Sequence, residues 1–286
     1  MNRLAQQERI KRVNLTDEDA QLMKGRSGII TGYNAQTMVS PLNPETAKGS
    51  GMLITAVEVV NSASDSGQLA PMLEKAEEIT GQRVHITLAD GGYHTAASLE
   101  AGKHRGQLLV MGERYKDSCT GPYFKDRFEY DAASDSYTCP HGHRLPFRGM
   151  RSSKLTGYRS IRMYRASRTA CHNCPAFGIC TKDAHAGRSL WIGPSDTLLR
   201  KHRQWMKTSE ARSLYARRQQ LSEPTFGILK DQIGARRFLL RGLTNVQAEF
   251  SLMATAFNLR TLRRVWKKVK TVGQGELQPQ YQIMTP

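Results

Sequence analysis

Between Gly32 and Met111 the apolar residues change their period several times, and that succession restricts the chain to an α/β fold. Gly32-Tyr33-Asn34-Ala35-Gln36-Thr37-Met38-Val39-Ser40 alternates as a strand does, and Met52 to Val60 is a second run of β-formers. Asn43-Pro44 and Lys48-Gly49-Ser50-Gly51 supply turn chemistry between them, so the two are expected to pair antiparallel. From Ser66 to Thr80 the apolar positions Leu69, Met72, Leu73, Ala76 and Ile79 take the spacing of an amphipathic helix, closed by Gly81. Val84 to Ala89 is a short buried strand that stops at Asp90, where Gly91-Gly92 breaks it. A helix follows over Thr95 to Gly106 and a strand over Gln107 to Met111. The expected order is β-β-α-β-α-β, a mixed sheet covered by helices.

From Cys119 to Ser195 the periodicity fades into short aromatic and basic segments separated by turns and cysteines, as in an insertion held by something other than a large core. Helical pattern returns over Leu198 to Gln220, pauses at Ser222-Glu223-Pro224 and restarts. Ser222 is placed to cap the new helix, with Pro224 in a first turn that needs no donor there. A further helix is expected over Val246 to Val265, and a frayed polar tail from Val272. The division expected is 1–118 for the first part of the core, 119–195 for the cysteine-rich basic insertion, 196–270 for the helical part carrying Glu223, and 271–286 for the tail.

Charge is distributed unevenly along this plan. Residues 1–118 carry 13 Lys and Arg against 14 Asp and Glu. Of the chain's 42 basic and 25 acidic residues, 29 and 11 therefore lie in 119–286. A basic surface of this kind suits a polyanion, because neutralised phosphates release condensed counterions. A solvated basic face kept for solubility is the plainer alternative; the asymmetry favours nucleic acid. No apolar run reaches the ~20 residues of a membrane span, and the first residues lack the apolar segment of a secretory signal. The expectation is a soluble, cytoplasmic, nucleoid-associated protein.

Two acidic residues have suggestive settings. Asp90 ends a buried strand at a double glycine, a place where ligands approach open α/β sheets, although an Asp there commonly just caps a turn. Glu223 heads a helical stretch with Lys230 two turns on, and Tyr215 and Arg218 precede it; an ordinary salt-bridged surface has the same look.

Taken together these segments resemble the DDE transposases of bacterial insertion sequences. Ala89-Asp90-Gly91-Gly92-Tyr93 is similar to the strand end carrying their second catalytic aspartate. Tyr215-x2-Arg218-x4-Glu223-x6-Lys230 is similar to the signature around their glutamate, with one more residue between arginine and glutamate than is usual. Gly32-Tyr33-Asn34-Ala35-Gln36 resembles the second-strand motif. Arg236-Arg237-Phe238-Leu239-Leu240-Arg241-Gly242-Leu243, with Asn258-Leu259-Arg260, resembles the C-terminal helical region. The resemblance runs in order from about residue 16 to residue 264. It implies a ribonuclease H-like mixed sheet flanked by helices, and two divalent cations, usually Mg2+, held between carboxylates for cleavage and transfer of DNA strands. It implies Asp90 and Glu223 as catalytic metal ligands, Lys230 near the scissile phosphate, and Tyr215 and Arg218 positioning the transposon end. With it come the expectations that Arg236, Arg237 and Arg241 are further DNA contacts, and that the partner is double-stranded DNA of transposon ends and target, bound by a homo-oligomer.

The pattern also calls for a first aspartate at the end of a strand ahead of the Gly32 segment. Residues 1–14 are charged and helix-like, and only Asp17 and Asp19 offer themselves; their setting resembles the polar segment before the second strand. The expectation is a truncated copy without its first strand and aspartate, inactive or nearly so by itself. A non-catalytic protein that binds transposon ends and represses the intact enzyme is the competing reading, with another two-metal nuclease ranked last.

Five cysteines occur, an odd number that argues against a disulfide framework. Cys139, Cys171, Cys174 and Cys180 form a spacing from which a structural zinc is expected, with His141, His143, His172 and His185 as alternates. Reduced cysteines packed as small hydrophobes are the other possibility. Cys119 stands apart as a free thiol. Trp191, Trp205 and Trp266, and the basic pairs Arg263-Arg264 and Lys267-Lys268, fit nucleic-acid contacts and core packing or solvated faces equally well.

Overall fold

The computed structural model describes residues 14–25, 28–42, 51–113, 121–152, 160–183 and 185–272. The turn residues Asn43, Pro44, Lys48, Gly49 and Ser50, the tail from residue 273 and Cys119 lie outside them. Two compact units are present: Met1–Gly112 with Met206–Pro286, and Glu113–Trp205. The chain is mixed α/β, and no described helix is long and apolar enough to cross a membrane.

The first unit opens with a hairpin of β1 (Gln21–Gly25) and β2 (Gly28–Gly32), which periodicity had not indicated. Strands β3 (Asn34–Pro41) and β4 (Met52–Val60) pair antiparallel as expected, Asn34 opposite Val60. Helix α1 (Leu69–Thr80) buries Leu69, Met72, Leu73 and Ala76. Gly81 ends it at φ 66°, the left-handed conformation that a glycine adopts without cost, and its N–H returns to the Glu77 carbonyl. Strand β5 (Ile86–Ala89) leads through Asp90 into α2 (Ala96–His104), whose cap is Thr95, and β6 (Leu108–Met111) pairs parallel with β5.

The expected single mixed sheet is not formed by the described strands: β3–β4 and β5–β6 are separate two-stranded sheets. The hydroxyls of Thr37 and Ser40 on β3 and of Thr87 on β5 are buried without a hydrogen-bond partner. The outer side of β4 is covered by side chains of α6 (Leu243–Val272; α3 to α5 are placed below). Asn258 accepts from the Ile54 N–H and donates to the Ile54 carbonyl, both at 2.8 Å, and Gln247 accepts from Val59 N–H at 2.6 Å. An edge that would otherwise expose unpaired backbone is thereby closed by amides.

The second unit has more order than its sequence suggested. Strands β7 (Glu129–Asp131), β8 (Ser136–Thr138), β9 (Arg144–Arg151), β10 (Ile161–Arg165) and β11 (Ser189–Ile192) form one antiparallel sheet. One face carries a core of Phe128, Tyr137, Leu145, Tyr164, Ala166, Cys171 and Leu190. These strands are short and aromatic rather than regularly alternating, so no period marks them. The short α3 (Arg168–His172) and α4 (Asp196–Trp205) complete the unit. Arg203, 8% exposed, anchors α4 by two 2.6 Å hydrogen bonds to the Asp126 carboxylate.

The helix expected to pause at Ser222-Glu223-Pro224 instead breaks earlier. Residues 206–208 separate α4 from α5 (Ser209–Asp231), whose cap is Thr208 accepting from Ala211 N–H. Pro224 lies inside α5, and the Ser222 hydroxyl donates to the Arg218 carbonyl rather than capping anything. A proline about four turns into an amphipathic helix removes one donor but leaves the buried face intact, here Leu221, Thr225 and Leu229.

Candidate functional site

The end of β5, the start of β3 and one face of α5 enclose an open cleft of about 780 Å3 in the first unit. Asp90 enters it because the strand stops there. The extended backbone of Asp90 lets its side chain accept from Gly92 N–H at 3.2 Å, so the turn caps itself and leaves the carboxylate in solvent, 64% exposed. From α5 come Arg218, Ser222, Glu223, Phe226 and Lys230, spaced by about one turn and so presented on one side. Glu223 and Lys230 are exposed. Two carboxylates 133 residues apart in sequence thus line one cleft.

Arg218 links the two walls. Its guanidinium lies 3.9 Å from Asp90 Oδ2 and 5.5 Å from the centre of the Tyr215 ring, and its Nε is buried without a partner. Tyr215 rests against Gly112 just beyond β6, where a Cβ would collide with the phenol. Lys230 sits 5.5 Å from the Phe226 ring.

Two further acids line the cleft and were not singled out from sequence: Asp231, at the end of α5, and Asp65, in the loop before α1. Its Oδ1 accepts from Asn34 Nδ2 at 2.8 Å and Gln36 Nε2 at 2.9 Å, and Tyr93 donates its hydroxyl to Gln36 Oε1. Burial, then the charges of Asp65 and Asp90, push the Tyr93 hydroxyl well above its ordinary pKa, so it serves as a neutral donor. The signal for Asp65 was the hairpin register: Val60 lies opposite Asn34, so whatever follows β4 returns to the same end. At Gly92 a Cβ would stand 2.5 Å from Asp65 Oδ2, which makes the second glycine of Asp90-Gly91-Gly92 a packing requirement.

The remaining residues are placed as follows. Arg236 borders the cleft and pairs with Asp231 at 2.5 Å; Arg236, Arg237 and Arg241 line a neighbouring cavity of about 460 Å3 with Tyr33 and Phe238. Asp17 accepts from the Tyr33 hydroxyl at 2.6 Å, and Asp19 accepts from Leu243 N–H at 2.8 Å. Both therefore hold the entry to α6 and are absent from the lining of the cleft.

In the second unit all four cysteines, with His141 and His143, line a cavity of about 20 Å3. His143 N–H and Arg188 N–H each donate to a sulfur, Cys139 and Cys171 respectively, at 3.3 Å. His172 stacks near Phe177, and the His185 N–H bonds Asp183. Burial raises the Cys180 thiol pKa. Among the described residues no group of three or more His, Cys, Asp or Glu side chains is arranged to hold a metal ion. The donor types suit zinc at the cysteines and a hard cation at the carboxylates, but neither set converges into a cage.

Residues 138–263 match a family model described as a transposase DDE domain. The matched span contains Arg218, Glu223, Lys230 and the four cysteines and ends before α6 does; Asp90 lies ahead of it. No curated protein and no solved structure matches the chain. The family match supports a DDE transposase.

Proposed function

We propose that the chain is a bacterial insertion-sequence transposase of the DDE type, with a ribonuclease H-like core, that binds double-stranded transposon ends and is impaired in cutting them. The observation that carries this is the meeting of Asp90 and Glu223 in one cleft with Arg218 and Lys230. Carboxylates beside cations are what phosphodiester chemistry on a hard metal requires: oxygen donors for Mg2+, and fixed positive charge for the phosphates on either side. Arg218, held against Tyr215 at the wall of the cleft, is the group suited to a phosphate oxygen. Lys230 is a mobile point charge on the same face, and Arg236, Arg237 and Arg241 extend it along the backbone of the DNA.

The impairment rests on the ligand set: the resemblance supplies Asp90 and Glu223 without a first aspartate, and among the described residues no group of three or more His, Cys, Asp or Glu is arranged to hold a metal ion. The same observation favours the second reading, a DNA-binding protein that occupies transposon ends and competes with an intact enzyme. In both readings it works in the bacterial cytoplasm on the nucleoid, as a homo-oligomer in any active form.

The test is a gel assay of the purified chain on duplex oligonucleotides with added Mg2+ or Mn2+. Retarded complexes with almost no nicked product are expected; robust metal-dependent cleavage abolished by Asp90→Asn would restore full catalysis, and no retardation would end the DNA reading. A structural zinc at Cys139, Cys171, Cys174 and Cys180 rests on their spacing and shared cavity. Metal analysis decides it: about one zinc per chain, lost in Cys171→Ser/Cys174→Ser, would make the thiols ligands, and a zinc-free, equally stable chain would make them core packing only.

A further inference from the structure

The outer face of the second unit's sheet carries a group of residues that neither the carboxylate cleft nor the cysteine cavity uses. Tyr164 and Leu190 point into the core, so by strand alternation Met163, Arg165, Ser189 and Trp191 take the opposite face. Arg151 joins them, since it pairs with Ile161 across β9 and β10. Trp191 is 42% exposed on this face, a large aromatic surface left outside the core. The Arg151 guanidinium lies 5.5 Å from the centre of its ring. Arg165 is steadied from the other side, donating Nε–H to Ser189 Oγ at 2.8 Å.

The register fixes the spacing. Trp191 lies opposite Met163; Arg165 is two residues along β10 in one direction, and Ile161, partner of Arg151, is two residues along in the other. The two cations therefore bracket the indole over about 13 Å of strand. An exposed indole with one guanidinium over its ring and a second further along the sheet is matched by a stretch of nucleic acid, with a base against the free part of the ring and phosphates on the arginines. Charge complementarity selects this occupant, since the unit that carries the face, residues 113–205, has 17 Lys and Arg against 8 Asp and Glu. A paired base inside a duplex hides its π face, so the ligand must present an unpaired base.

We propose that this face of the β9–β10–β11 sheet is a binding platform for single-stranded DNA, with Trp191 stacking on a base and Arg151 and Arg165 contacting flanking phosphates. The inference does not depend on cleavage at Asp90 and Glu223, which belong to the other unit. A chain that never cuts DNA can pass the following test, and one that cuts can fail it.

The full chain carrying Trp205→Phe and Trp266→Phe leaves Trp191 as the sole indole. Titration with a dT15 oligonucleotide at low salt should quench its emission to saturation. Trp191→Ala, followed by anisotropy of labelled dT15, should bind roughly tenfold more weakly, while Trp191→Phe stays close to the parent. Arg151→Gln and Arg165→Gln should each reduce the slope of log affinity against log salt by about 0.7. Circular dichroism checks that each variant is folded; if Trp191→Ala were unfolded, the quenching titration and the two arginine variants decide. Unchanged indole emission at saturating dT15 would overturn the proposal, as would a folded Trp191→Ala that binds like the parent. Equal quenching by a blunt duplex would overturn the claim for an unpaired base.

Discussion

Arg218 reaches from α5 to within 3.9 Å of Asp90, and with 19% of its side chain exposed it is the more enclosed of the two. The carboxylate of Asp90 stays in water, so the pair adds little to stability; exposed ion pairs are worth at most about 1 kcal/mol. Its consequence lies in placement. Arg218→Gln is therefore expected to leave the melting temperature within a few degrees of the parent and to weaken duplex binding roughly tenfold, the cost of one charge-assisted phosphate contact. Arg218→Lys should not restore it, because the guanidinium plane lies against Tyr215. Anisotropy with a labelled duplex alongside thermal melts checks both halves.

Gly92 is expected to tolerate no side chain. A methyl there would stand 2.5 Å from Asp65 Oδ2, and the loop carrying Asp65 is tied to β3 through Asn34 and Gln36. Gly92→Ala should cost about 1–3 kcal/mol in urea unfolding, the usual range for overpacking. Adding Asp65→Ala removes the colliding oxygens, so the double variant should be more stable than the two separate losses predict. Simple additivity of the two changes would show that the contact is not the cause.

How much of this was legible beforehand depended on whether one period or one register decided the matter. The helix at Leu69–Thr80 was readable from its own apolar stripe, and the β3–β4 pairing from two β-rich runs with turn residues between them. Asp90 and Glu223 were singled out by motif, and the structure brings both to one cleft. Asp65 was missed because its place depends on a hairpin register that no local pattern prints. The break before α5 was misplaced because Pro224 looked like a terminus. Thr208 ends up as the cap and the proline's missing donor is absorbed on an exposed turn. The second unit's sheet was missed because its strands are three to eight residues long and its core mixes aromatic residues with Leu145, Leu190, Ala166 and Cys171 rather than forming an alternating aliphatic row.

Tyr33 and Asp17 make stability depend on pH at both ends of the scale. Burial, with the hydrogen bond to Asp17, raises the Tyr33 hydroxyl to about 12 from 10. The stability this contributes is present below pH 10 and is lost as pH rises towards 12. The hydrogen bond from Tyr33 holds the Asp17 carboxyl below its ordinary value of 3.8. That contribution is present above about pH 3.8 and is lost as pH falls through the lowered value. Tyr33→Phe should flatten the alkaline limb of a melting-temperature profile, reduce the acid one, and cost about 1 kcal/mol at neutral pH. An alkaline limb identical to the parent's would assign that loss to other groups.

The unpaired hydroxyls buried on β3 and β5 have an energetic signature that can be measured. Thr87 is fully buried on β5, and its hydroxyl meets no acceptor or donor, as is true of Thr37 on β3. A buried hydroxyl without a partner costs about 1–3 kcal/mol relative to one that is paired. Valine has nearly the same shape and carries no polar atom. Thr87→Val should therefore stabilise the chain by about 1 kcal/mol, whereas the same change at a threonine whose hydroxyl is bonded should destabilise it. Thr80, which donates to the Ala76 carbonyl at 2.6 Å, provides that control. Urea unfolding of the two variants gives the sign directly. A destabilised Thr87→Val would mean that its hydroxyl is engaged when the chain is in solution.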